Sequence, residues 1–129
     1  MPASPDSPFQ YAVLRVVPDV QRGERLNAGV VLYAPTHDFL GARVRLDEER
    51  LRALWPGADA PALARHLEGL ARIAAGDRGG GPIAALPASQ RFHWMVSPAS
   101  TAVQPSEVHT GLCDDPATAL DRLFARLVE

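Results

Sequence analysis

From Tyr11 to Tyr33 the chain reads YAVLRVVPDVQRGERLNAGVVLY, two apolar runs joined by a charged loop. Tyr11, Ala12, Val13, Leu14, Val16 and Val17 form a run rich in β-branched and aromatic residues, ended by Pro18 and Asp19. Gly29 to Tyr33 form a second, closed by Pro35. Both runs are nearly continuous rather than alternating, which predicts strands buried on both faces. Arg15 interrupts the first run. A buried arginine needs an anionic or carbonyl partner, because an unpaired buried charge is costly. Glu24 is the closest acid across the turn, and a structural ion pair and a ligand-binding role both fit.

Phe39 to Leu46 reads as a third strand, Arg43 and Arg45 alternating with Ala42, Val44 and Leu46. The short connections make a three-stranded antiparallel meander the economical topology. Asp47 then suits the N-cap of a short helix, with Glu48 and Glu49 in its first turn and Leu51 and Leu54 facing inward. Trp55-Pro56-Gly57 stops it. Pro61 opens a second helix in which Leu63, Leu67, Leu70 and Ala74 make an apolar stripe. Its Arg65, His66, Glu68 and Arg72 read as a solvated face.

Residues 76–90 contain Gly79, Gly80 and Gly81, then Pro82 and Pro87. A glycine triplet cradles phosphate when it follows a strand and opens a helix; here it follows a helix and precedes prolines, so a flexible connection is expected. Residues 91–96 are expected to be a strand, with Phe92, Trp94 and Val96 on one face and His93 and Met95 on the other. Residues 101–104 read as a short edge strand before Pro105, and residues 107–115 as a polar loop. The last helix has Asp114 or Asp115 as N-cap, Pro116 in its first turn, and Leu120, Leu123, Phe124 and Leu127 on one face, which should pack across the sheet. The expected fold is therefore α+β: an antiparallel sheet of four to five strands with two to three helices packed mainly on one face. Residues 1–8, with three prolines and two serines, form a flexible N-terminal tail, and residues 9–129 a single domain.

Composition narrows the chemistry. A net charge of −2 and an aromatic content of 6% give no electrostatic or stacking footprint for nucleic acid. The single cysteine, Cys113, excludes an intrachain disulfide and fits a reducing compartment. No basic and apolar leader opens the chain and no run approaches membrane-spanning length, so a cytoplasmic protein is expected. All 13 basic residues are arginine. A phosphate-loop lysine, a Schiff-base lysine and a lysine general base are thereby excluded.

The segments RGERLNAGVVLY, FLGARVRLDEERLRAL, FHWMVSPAS and QPSEVHTGLCDDPATALDRL resemble a bacterial family catalogued as domain of unknown function 3037. The resemblance spans roughly residues 9–128. Family members are often encoded beside HipA-like kinase proteins, so the resemblance implies a partner or accessory role and carries no catalytic residue. It picks out Glu24 and Asn27 in the first loop, and Gln104, His109, Thr110, Gly111 and Asp114 near the end.

If the two loops meet, Arg15, Arg22, Glu24, Arg25, Asn27, Gln104, His109 and Thr110 form one polar pocket. Several arginines with hydrogen-bonding amides favour an anion such as phosphate or carboxylate. Asn27 and Thr110 equally suit backbone-satisfying roles in turns. His93, His109, Cys113 and Asp114 offer metal-ligand chemistry, but their spacing matches no strong zinc signature. Cys113 beside His109 makes a weak nucleophile case against an inert thiol, and no Gly-x-Ser-x-Gly motif is present. No cofactor, metal or catalytic residue is assigned. The leading expectation is a non-enzymatic interaction protein working with a HipA-like kinase, with Trp55 or a sheet edge as its candidate interface. The alternative is a small enzyme or anionic-ligand-binding module.

Overall fold

The structure is a computed structural model in which residues 6–99 and 101–129 are described. Its core is a five-stranded antiparallel sheet: β1 (Ser7–Val16), β2 (Leu26–Ala34), β3 (Phe39–Val44), β4 (Val103–Pro105) and β5 (His109–Cys113). The strand order is β3-β2-β1-β4, and β5 pairs with β1 in line with β4, so one long strand carries two short ones along one edge. The expected meander is present as β1-β2-β3. Residues 1–5 of the expected tail lie outside the described residues. Ser7 and Pro8, expected to be in that tail, already pair with Cys113 and Leu112.

Four helices pack on the sheet: α1 (Glu48–Leu54), α2 (Ala60–Ala75), α3 (Ala88–Met95) and α4 (Pro116–Leu127). The N-caps follow from the sequence: the side chains of Asp47, Asp59 and Asp115 accept from Arg50, Ala62 and Ala117 backbone N–H groups. Gly76 ends α2 in the left-handed conformation at φ 70°, where a side chain would be strained.

The continuous apolar strands are sandwiched, as their pattern predicts. On one face Ala12, Leu14, Val16 and Val31 meet Leu51, Leu67 and Ile73 of α1 and α2 and Phe92 of α3. On the other, Phe9, Val30 and Leu32 meet Leu120, Phe124 and Val128 in and beyond α4. Three helices thus lie on one face and one on the other. Among the described residues no helix is long and apolar enough to cross a membrane.

Two elements differ from expectation. Residues 91–96 are not a strand: most of them belong to α3, which raises the helix count from two or three to four. Over six residues an alternating pattern also satisfies a helix, and here Phe92 and Met95, three apart, are the buried pair while Trp94 is exposed. Residues 107–115 are not wholly a loop, because His109–Cys113 form β5. A short strand with one neighbour, most of whose side chains are exposed, needs no apolar alternation, so its sequence looks like a loop.

Candidate functional site

Antiparallel register places three of the polar residues in one row. Arg15 in β1 lies opposite Asn27 in β2 and opposite Gln104 in β4. The β1–β2 register shifts beside Leu14, leaving Ala28 as the extra residue of a bulge. Leu14 and Val16 face the α1–α3 side, so Arg15 between them faces the α4 side, half-buried. Asn27 confirms the direction: its Nδ2 donates to the Leu127 carbonyl at 3.0 Å, tying β2 to the C-terminal end of α4. Gln104 donates to the Thr101 carbonyl at 3.0 Å.

His109 joins this face through its pairing with Tyr11, their rings 5.2 Å apart. Its Nε2 lies 3.4 Å from the Glu107 carboxylate. Glu107 is held below the usual carboxylate range, first by its own backbone N–H and then, against a burial penalty, by the charges of His109, Arg15 and Arg25. His109 therefore has a carboxylate of the chain itself as its neighbour, and the charges of Arg15 and Arg25 favour the ionised form of the same group.

The other three residues go elsewhere. Arg22 and Glu24 form an exposed ion pair with each other, so Glu24 is not the partner of Arg15. Arg22 lies 5.9 Å over the Trp55 ring, which is half-buried. Thr110 pairs with Gln10, one residue out of phase with His109, and so points to the opposite face.

Two participants were missed. Glu107 sat in the stretch read as a loop. Ser106 is the only buried polar or charged side chain among the described residues: its hydroxyl accepts the Val13 N–H at 2.9 Å and donates to the Glu107 carbonyl at 2.8 Å. It is the joint between β4 and β5. Only its place between two short strands could have signalled this.

The α1–α3 face carries a different feature, an apolar hollow of about 280 Å³ beside β4. Leu14, Leu70, Met95, Val103 and Pro105 line it, and Trp94 stands at its rim with 46% of its surface exposed. A second hollow, beside β5 and α4, is bordered by Cys113, Asp114, Asp115 and Arg122. Burial raises the Cys113 thiol above its ordinary range, and Asp114, Asp6 and Asp115 raise it further. That opposes the activation a nucleophilic thiolate requires. Among the described residues no three metal-binding side chains converge; His93 lies on α3, across the sheet from His109.

These features define an α+β domain with helices on both faces of an antiparallel sheet, a polar row under one helix end and an apolar hollow on the opposite face. The chain belongs to the family described as Protein of unknown function (DUF3037), which matches residues 11–128. No curated protein and no solved structure matches it.

Proposed function

We propose that the domain is a non-enzymatic interaction module that works in the cytoplasm as the accessory partner of a HipA-like kinase. The observation that carries this reading is Trp94, a large aromatic half-exposed at the rim of an apolar hollow. Tryptophans at desolvated pockets are the residues that most often dominate binding energy. The hollow is small enough to take one or two apolar side chains of a partner. Trp94, rather than Trp55, is the anchor in this reading, because Trp55 is already half-buried beneath Arg22. The kinase as partner rests on the family resemblance, and the buried free thiol of Cys113 fits a reducing compartment.

The polar row offers less to an anionic ligand. Glu107 already lies 3.4 Å from His109, and the charges of Arg15 and Arg25 already act on its carboxylate. Co-expression with the neighbouring HipA-like kinase, followed by size-exclusion chromatography, tests the proposal. Co-elution at a defined ratio that Trp94→Asp abolishes and Glu107→Gln leaves intact is the expected result. Separate elution of two folded proteins would refute it.

A further inference from the structure

We propose that β5 is an interface strand, pairing antiparallel with β5 of a second copy of the chain about a two-fold axis at Thr110. This surface is separate from the Trp94 hollow, and the inference does not depend on the function proposed above.

The argument begins with where backbone groups point. The Val13 N–H is taken by the Ser106 hydroxyl and its carbonyl by the Ser106 N–H, while the Val17 N–H is taken by the Ala102 carbonyl. Odd-numbered residues of β1 therefore turn their polar groups toward β4 and β5. Tyr11, Phe9 and Ser7 follow by the two-residue period, and they pair with His109, Gly111 and Cys113. The N–H and carbonyl groups of Thr110 and Leu112 must then point away from β1, to the open edge of the sheet.

The two halves of that edge are treated differently. In β4 the outward residues are Val103, whose carbonyl is capped by the Thr101 hydroxyl at 2.8 Å, and Pro105, which has no N–H to offer. Those are the devices by which proteins close an edge to pairing. β5 has no proline, no lysine and no bulge. Two of the four large exposed apolar residues described lie here, Leu112 in the strand at 67% and Val108, one residue ahead of the strand, at 37% exposure.

A second copy fits because the strand is complementary to itself. Val108 and Leu112 lie two residues either side of Thr110, on the same face as Thr110. A two-fold axis at Thr110 sets Val108 against the partner's Leu112 twice, and Thr110 against its own counterpart. These are the outward-facing positions, so up to about six backbone hydrogen bonds can form. On the other face His109 comes opposite the partner's Gly111, which has no side chain to obstruct it. There Glu107 meets the partner's Cys113 at the mouth of the second hollow, where Arg122 is the only lining cation beside Asp6, Asp114 and Asp115. Among the described residues no ion pair engages Arg122, and Glu107, exposed and 3.4 Å from His109 of its own chain, can be shared with it. Such an isologous contact closes on itself and leaves no new edge. Strand pairing alone buries little area, so the dimer should be weak and concentration-dependent.

The test is light scattering coupled to size exclusion, across a wide range of concentration, on the full chain and two variants. Thr110→Pro removes an outward N–H at an edge position where proline is tolerated. Leu112→Lys puts a charge into the apolar pair. The wild-type chain should shift from monomer to dimer as concentration rises. Each variant should weaken dimerisation at least roughly tenfold with an unchanged circular dichroism spectrum; if one variant fails to fold, the other still decides. Register is read separately: Thr110→Cys should cross-link to itself on mild oxidation and Val108→Cys should not. A wild-type chain monomeric at every concentration, a dimer indifferent to both variants, or Val108→Cys cross-linking as readily as Thr110→Cys would each overturn the proposal.

Discussion

Replacing Ser106 with alanine should cost far more than removal of a hydroxyl usually does. Ser106 is 5% exposed, and its Oγ accepts the Val13 N–H at 2.9 Å while donating to the Glu107 carbonyl at 2.8 Å. The Ser106 N–H to Val13 carbonyl bond, 2.8 Å long, survives the substitution. What is lost is the sole partner of a buried β1 amide. Val13 is itself 5% exposed, so water cannot replace the hydroxyl without opening the β4–β5 joint. Leaving a buried donor unpaired costs about 1–3 kcal/mol. For a chain of this length that corresponds to a fall in melting temperature of roughly 3–5 °C per kcal/mol. The assay is urea unfolding of wild type, Ser106→Ala and Ser97→Ala, with the midpoint shift read at constant slope. Ser97 is the control: its hydroxyl donates to the His93 carbonyl at 2.7 Å on the surface, and its removal should change stability by less than about 0.5 kcal/mol. Equal small losses for both variants would refute the reasoning that burial of the Val13 amide sets the magnitude.

Three further outcomes follow from the same geometry. Gly111→Ala should destabilise by about 1–3 kcal/mol in the same unfolding assay, because the added Cβ would lie 2.5 Å from the buried Phe9 ring and force it to move. The stability difference between wild type and Glu107→Gln should depend on pH. The folded carboxyl is depressed, so its contribution is fully present above the ordinary carboxylate range, near pH 4, and disappears as pH falls through the lower folded value; a difference that is flat with pH would contradict that depression. Cys113 should react with iodoacetamide much more slowly in the folded chain than in urea at the same mildly alkaline pH, since burial and three nearby acids raise its thiol; equal rates would contradict its burial.

Much of the fold was legible because its signals are local. The runs around Val13 and Val31 announced sandwiched strands, Asp47 and Asp115 announced helix starts, and the Leu63–Leu67–Leu70 stripe fixed the inward face of α2. The failures have one cause, which is that partners supplied what the sequence left open. Residues 91–96 fit either period until α3 packed Phe92 and Met95 inward. Residues 109–113 became a strand because the N-terminal half of β1 had an unpaired edge. The candidate site was half legible for the same reason. Pairing across three strands joined Arg15, Asn27 and Gln104, which are up to 89 positions apart in sequence. A one-residue change of phase sent Thr110 to the other face, and the nearer Arg22 took Glu24. Ser106 and Glu107 acquire their roles only from what they touch.

The central claim is that Trp94 and its hollow receive the partner kinase. With Trp55→Phe, Trp94 is the only tryptophan left in the chain, and fluorotryptophan labelling then places a single fluorine probe at the hollow. Titration with unlabelled HipA-like kinase, followed by fluorine NMR, should shift or broaden that one resonance saturably as the indole leaves water. A complex that forms by light scattering while the resonance stays unchanged would contradict the site, and the absence of any complex would contradict the partner.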